Sequence, residues 1–476
     1  MSNEPRELAT TTSMCPSCLE RVPGTYELRG ESVHLTRSCP DHGTTSRRVW
    51  GSLDHWEWAG EFGPEVGGDA DPDGALTVDN DHACLAVVEV TEDCNLSCSF
   101  CFASSGPGGD HRPFEEVVEL LDTIRDTGGP RPVQFSGGEP TVRDDLPELV
   151  EKAQSMGFEH VQVNTNGLRL ATEDGHAETL AEAGVTAVYL QFDGLEPETY
   201  EQVREVDIAE QKHEAIAACR GADLPVVLVP TVVPDVNDHE MGDIVRFALD
   251  NLDVVESVNF QPVAQFGRYD DHGGRFSLDQ AAAALADQLA GIDRRDLLPI
   301  PCCSSYCQMA TALKPDGEGG ATPLTQFVDD EMFASLSGMV DESDWMELLA
   351  NTTAGQERAC SAAGCCGPDL PEGAADLLGE VLPVSLTGFM DAAAADVERL
   401  DNCCISVPTP DGELVPFCAY NMTTDDGEYA LRNRNDWGGR PSVDAGTDAA
   451  LDVDGVAVAD DAIPDGEYPT AGDGDD

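Results

Sequence analysis

Thr91-Glu92-Asp93-Cys94-Asn95-Leu96-Ser97-Cys98-Ser99-Phe100-Cys101 follows directly on the apolar run Leu85–Thr91 and sets three thiols three and two residues apart. Three thiolates at this spacing can wrap one corner of an iron–sulfur cube. A 4Fe–4S cluster wants four protein ligands, so three leave one iron open to a small chelating molecule. The same cysteines with a distant fourth ligand would instead make a zinc site.

Outward from this segment, from about residue 84 to 300, short apolar runs alternate with helical patterns. Leu85–Thr91, Pro132–Ser136, Glu159–Asn164, Ala187–Phe192, Val226–Val232 and Ser257–Val263 are predicted strands. Val117, Leu120, Leu121 and Ile124, and then Leu146, Leu149, Val150 and Ala153, fall at helical spacing between them. A run of βα units predicts an α/β fold with a parallel sheet, right-handed crossovers and a ligand site at the carboxyl ends of the strands. Unusual residues stand at those ends: Ser136-Gly137-Gly138-Glu139-Pro140, Asn164-Thr165-Asn166-Gly167, Gln191-Phe192-Asp193-Gly194, and Pro230 through Asn237-Asp238.

With four such segments in register behind CxxxCxxC, the chain resembles the radical S-adenosylmethionine (SAM) superfamily. The resemblance implies a partial (β/α)6 barrel over residues 84–300, with a 4Fe–4S cluster on Cys94, Cys98 and Cys101. SAM is then expected against Phe100, Gly137, Gly138, Glu139, Asn164, Asn166, Gln191, Asp193 and Asn237. It also implies reductive cleavage of SAM to a 5′-deoxyadenosyl radical that takes hydrogen from a substrate, with an electron donor such as ferredoxin or flavodoxin. Each residue has its own chemistry beside this. Paired glycines allow close backbone approach to a ligand, and Glu139 offers a carboxylate to an ammonium group or a charge to a helix N-terminus. Asn164, Asn166 and Gln191 suit ribose hydroxyls and a carboxylate, or else solvated turns. Asp193 could cap the next helix, and Phe100 could cover the adenine or pack in the core.

Residues 1–66 form a separate expected unit. Cys15-Pro-Ser-Cys18 and Cys39-Pro-Asp-His42 are two ligand pairs flanking a hairpin, suited to tetrahedral zinc or a single iron, with His42 the open question. Trp50, Trp56 and Trp58 follow and are expected to dock this unit on the rest. Residues 67–83 read as a linker. The other cysteines gather in residues 301–440, a predicted iron–sulfur region. Two auxiliary 4Fe–4S clusters would need about eight ligands, for which Cys302, Cys307, Cys360, Cys365, Cys366, Cys403, Cys404 and Cys418 are the candidates. One cluster with structural thiols is the alternative. Cys84 and Cys219 read as small buried hydrophobes.

The opening CPSC…CPDHG, the segment Pro299 to Cys307, and Cys403-Cys404 through Cys418-Ala-Tyr-Asn421 are together similar to the archaeal tetraether lipid synthase family. That resemblance implies an archaeal isoprenoid lipid substrate and C–C coupling of its chains. The alternative is a radical SAM enzyme acting on a peptide, a cofactor precursor or another non-lipid substrate.

Composition narrows the setting. The 476 residues carry 91 Asp+Glu against 26 Lys+Arg, a net charge of −65, and the only lysines are Lys152, Lys212 and Lys314. Nucleic acid is an unsuitable partner for such a surface, because phosphate binding needs clustered cations. Self-repulsion of this size is screened near molar salt, so a halophile cytosol is expected. Unfolding measured across a KCl series should show stability falling as salt is withdrawn; undiminished stability at low salt would contradict it. The start of the chain lacks a signal-peptide pattern and no run suits a membrane span, so a cytoplasmic protein, peripheral at the membrane, is expected. Residues 441–476 hold 11 acidic and no basic groups and read as a disordered tail.

Overall fold

The computed structural model describes residues 5–62, 84–269, 275–300, 304–316, 320–327 and 381–432. The expected linker and acidic tail lie outside the described residues, as do Cys302, Cys360, Cys365 and Cys366. Among the described residues, no helix is long and apolar enough to cross a membrane.

The N-terminal unit is an antiparallel sheet of β1 (Arg6–Met14), β2 (Arg21–Arg29), β3 (Ser32–Cys39) and β4 (Gly43–Trp50), in sequential order. Alternation along β3 buries Val33 and Leu35 on one face. The tryptophans dock this sheet as expected. Trp56 stacks on Tyr306 with centroids 5.5 Å apart, Trp50 meets the same ring edge-on at 5.4 Å, and Trp58 lies 5.4 Å from the Arg295 guanidinium. Ser13 donates to the Ala395 carbonyl at 2.6 Å, and Tyr26 donates to the buried Asp396.

The second sheet takes up β5 (Leu85–Thr91), β6 (Val133–Gly137), β7 (Val161–Thr165), β8 (Ala187–Gln191), β9 (Val226–Val229), the short β10 (Thr231–Val232) and β11 (Val255–Pro262). It continues with β12 (Leu298–Pro299), β13 (Gln308–Pro315), β14 (Ala321–Pro323), β15 (Leu382–Thr387), β16 (Ile405–Pro408) and β17 (Leu414–Pro416). The predicted strands all appear, within two residues at their ends except for the fifth, which breaks at Pro230 into β9 and β10. β5 to β9 and β11 are parallel neighbours, as a radical SAM barrel requires. The region after residue 300 then departs from expectation. β15 adds in parallel to β11 and β16 in parallel to β5, so eight parallel strands line up where six were predicted. Both added strands are short apolar runs, Leu-Pro-Val-Ser-Leu-Thr and Ile-Ser-Val-Pro, in a stretch whose cysteines draw the eye.

The two faces of this sheet differ in chemistry. Val88, Val90, Val133, Phe135, Val163, Val188 and Leu190 point outward into one core, where they meet Leu120, Leu121, Leu149 and Val150 of the helices. Those helices, Phe114–Asp126 and Leu146–Ser155, form because their apolar residues recur every three or four positions behind Pro113 and Pro147. The alternate strand positions face inward and mix polar side chains such as Gln134, Asn164 and Gln261 with apolar ones such as Leu85, Val87 and Val229.

Candidate active site

A cavity of about 200 Å³ opens inside the barrel, at the carboxyl ends of the strands. Cys94, Cys98, Cys101, Phe100, Gly137, Gly138, Glu139, Asn164, Asn166 and Gln191 all line it. Asp193 and Asn237 do not; they lie in the wall and brace it.

The cluster loop is tied to the neighbouring strand end by backbone hydrogen bonds: Gly138 N–H donates to Thr91 O at 2.7 Å, and Glu139 N–H to Asp93 O at 2.8 Å. This closeness explains the paired glycines. Gly137 has φ +124°, and a Cβ there would stand 2.2 Å from Thr91 O; one on Gly138 would stand 2.2 Å from Asp93 O. The glycines therefore serve approach of backbone to backbone beneath the cluster loop as well as exposure to the cavity.

Glu139 is held by four donors of the chain, three on Oε1 and one on Oε2. It accepts from Thr141 N–H at 3.1 Å, Thr141 Oγ1 at 2.6 Å, Thr165 Oγ1 at 2.7 Å and Asn166 N–H at 2.6 Å. Burial nevertheless pushes its pKa up, the four donors opposing that shift. It joins the ends of β6 and β7, so an ammonium ligand would share a carboxylate that is already anchored. Asn166 in turn donates from Nδ2 to Asn95 of the cluster loop at 2.6 Å. Asn164 donates to Ser136 at 3.3 Å.

A residue the sequence reading missed sits beside the cluster. Arg204 ends the helix Pro197–Arg204 and is gripped by Asp193 through two bonds of 2.7 Å. Its guanidinium reaches the Cys98 thiol, lies 5.4 Å from the Phe100 centroid and faces the Gln191 amide, whose oxygen accepts from it at 2.7 and 2.9 Å when that amide is turned over. Asp193 also accepts from Thr231 N–H at 3.0 Å, while Asn237 bonds Val233 N–H, Asp193 O and Thr231 O. Asp193 and Asn237 thus act on the cavity through Arg204 and the β8 and β9 strand ends. An isolated arginine in a strongly acidic chain was the available signal.

Burial pushes the Cys94 and Cys98 thiols above their ordinary range, with the Glu139 carboxylate adding to the rise at Cys94. Thiols in such surroundings ionise when a metal takes them. Three of them around one loop, with a cationic neighbour and a cavity on the open side, fit a 4Fe–4S cluster that keeps one iron for SAM.

At the N-terminus, the ligand atoms of Cys15, Cys18, Cys39 and His42 all lie within 4.8 Å of one another. His42 Nδ1 is 3.6 Å from Cys15 Sγ and 3.4 Å from Cys39 Sγ, so the histidine joins the three thiols. The turns after β1 and β3 supply one pair each. Four N and S donors converging on one point fit a closed tetrahedral structural site.

Of the distal thiols, Cys307, Cys403, Cys404 and Cys418 are described and come together. Cys403 is pushed up by burial first and then by the proximity of Cys418, Cys404 and Cys307. Arg399 donates to Cys307 Sγ at 3.1 Å, and Met390 N–H to Cys418 Sγ at 3.4 Å. These four sulfurs thus gather beside the Arg399 guanidinium. Cys84 and Cys219 are buried, in keeping with their reading as small hydrophobes.

Known proteins share these features. Residues 88–248 match the radical SAM superfamily, and residues 7–51 match the HMPTM N-terminal zinc ribbon domain. A 7,8-dihydro-6-hydroxymethylpterin dimethyltransferase from Methanocaldococcus jannaschii is 32% identical over 470 residues, covering 86% of this chain and 93% of its own length. A GTP 3′,8-cyclase from Heliobacterium modesticaldum is 35% identical over 207 residues, 42% of this chain and 62% of its own. Among solved structures, Streptococcus suis SuiB bound to S-adenosylmethionine aligns at a TM-score of 0.37 and 15% identity, over 43% of this chain and 46% of that one.

Proposed function

Because this chain belongs to the radical SAM superfamily, and within it to the family of the archaeal dimethyltransferase that spans most of its length, we propose that it methylates a dihydropterin, a cofactor precursor. The observation that carries this reading is the match to that enzyme over 86% of the chain, zinc ribbon included. The expectation of an isoprenoid lipid gives way to the non-lipid alternative that stood beside it. Within a lining that is otherwise rich in apolar and aromatic side chains, the amides of Gln134, Asn164, Asn259, Gln261 and Gln308 offer hydrogen bonds that a flat polar ring can use.

The cluster and SAM, when bound, supply one-electron cleavage of a carbon–sulfur bond and with it a hydrogen-abstracting carbon radical. The chain's own residues do the rest. Cys94, Cys98 and Cys101 would hold the cluster, and Phe100 and Arg204 would border it. The ribbon carries zinc in this reading, Cys307, Cys403, Cys404 and Cys418 ligate an auxiliary cluster, and a ferredoxin or flavodoxin delivers the electron.

Anaerobic, cluster-reconstituted protein given reductant, SAM and 6-hydroxymethyl-7,8-dihydropterin should be followed by mass spectrometry in an extract that supplies the methyl source. The expected product is the pterin heavier by one and then two CH₂ groups. Recovery of unmodified pterin alone, from protein that cleaves SAM, would reject the substrate.

A further inference from the structure

On the wall of the cavity, β8 and β11 bring together a polar group outside the residues expected to hold SAM. Asn259 donates from Nδ2 to the Tyr189 phenol oxygen at 2.6 Å, and Gln261 Nε2 donates to the same oxygen at 3.4 Å. With both amides turned so that nitrogen faces the phenol, the oxygen accepts twice, and its own hydrogen has no acceptor among the described residues. Asn259 Oδ1 is buried and likewise has no partner among the described residues, although only 5% of the residue is exposed. Thr387 Oγ1, on β15 in the same lining, is in the same state.

Buried polar atoms left unpaired cost free energy, and a native site that keeps them commonly meets a ligand there. Oδ1 belongs to the same planar amide whose nitrogen meets the phenol. The barrel wall therefore holds one unused donor, Tyr189 O–H, and one unused acceptor, Asn259 Oδ1, on two side chains in contact. No charged side chain takes part in the pair. Phe266, Phe389 and Phe417 line the same cavity, with 5.1 Å between the Phe389 and Phe417 centroids, and supply aromatic surface beside it.

We propose that Tyr189 and Asn259 read the lactam edge of a neutral heteroaromatic substrate: its ring carbonyl accepts from Tyr189 and its ring N–H donates to Asn259. This rests on the dihydropterin reading and names the residues that select the ring. Burial holds the Tyr189 phenol protonated, raising its pKa by desolvation, so the donor persists across working pH. Thr387 supplies a further polar contact at the rim of the pair.

The test uses the full-length, cluster-reconstituted protein with SAM, in anaerobic equilibrium dialysis. The probes are 6-hydroxymethyl-7,8-dihydropterin and its 2,4-diamino counterpart, whose edge has donor and acceptor reversed. Wild type should prefer the lactam by about 100-fold or more, as sites built around a buried hydrogen-bond pair do. Tyr189→Phe should weaken lactam binding about tenfold. Asn259→Asp should turn the phenol hydrogen onto the new carboxylate and leave acceptors toward the ligand, so preference moves to the diamino probe. A merely structural role would not move it. Melting curves check that each variant folds, and the second substitution keeps the test alive if the first does not. If wild type binds the dihydropterin but both variants keep its affinity and preference, this inference falls and the proposed function stands. If wild type binds neither probe, both fall.

Discussion

Cys98→Ala is expected to abolish release of 5′-deoxyadenosine from reduced protein supplied with SAM. Iron should fall by about four atoms per chain, the content of one cube. Cys98 is buried between Arg204 and the loop that ends at Cys101, whose N–H donates to Arg268 O at 2.7 Å. Among the described residues no further cysteine stands beside it to replace it, since the thiols other than Cys94 and Cys101 belong to the ribbon, the distal group or the core. The fold should survive, because the apolar contacts of the sheet lie on its opposite face. Near-wild-type iron with intact SAM cleavage would remove this thiol from the cluster.

The second large effect is expected at the other end of the chain. Cys39→Ala should cost the ribbon its metal and undock it. Structural zinc contributes an apparent ~10–16 kcal/mol to isolated finger peptides, so a site with three ligands retains little of that drive. The ribbon has a modest core of its own and leans on Ser13–Ala395, Tyr26–Asp396 and the Trp56–Tyr306 stack. Trp50, which is buried, should then show a red-shifted emission, and one metal ion per chain should be lost. Unchanged emission and metal content would mean that the four ligands do not act together. Docking also links the two sites: Ser17, between the first ligand pair, donates to Asp425 at 2.9 Å, and the same segment brings Tyr429 onto the Phe102 carbonyl at 2.7 Å. A detached ribbon should therefore slow SAM cleavage without removing the cluster.

Much of this was legible from residue spacing. Ligand sets local in sequence, CxxxCxxC and the two knuckles with His42, were found because adjacent thiols on one turn can reach one metal. Strand ends were found because Gly-Gly-Glu and Asn-Thr-Asn interrupt apolar runs. The barrel interior was not found, although its signal was present. Gln134 and Ser136, Asn164, Tyr189 and Gln191, and Asn259 and Gln261 occupy alternate positions of their strands, so the polar residues share the inward face. Read as strands alone, these runs hid the polar part of the cavity wall. The distal cysteines were named as candidates but not grouped: Cys307 precedes β13, Cys403 and Cys404 precede β16 and Cys418 follows β17, so their meeting depends on the sheet order, which no spacing announces. Arg204 and Asp193 pair across a helix, which sequence distance does not reveal.

The most direct measurement is 5′-deoxyadenosine formed by reduced, reconstituted wild-type protein with SAM, in the presence and absence of 6-hydroxymethyl-7,8-dihydropterin. Release in both, faster with the pterin, is the predicted result. A full complement of cluster iron with no 5′-deoxyadenosine in either would contradict the account.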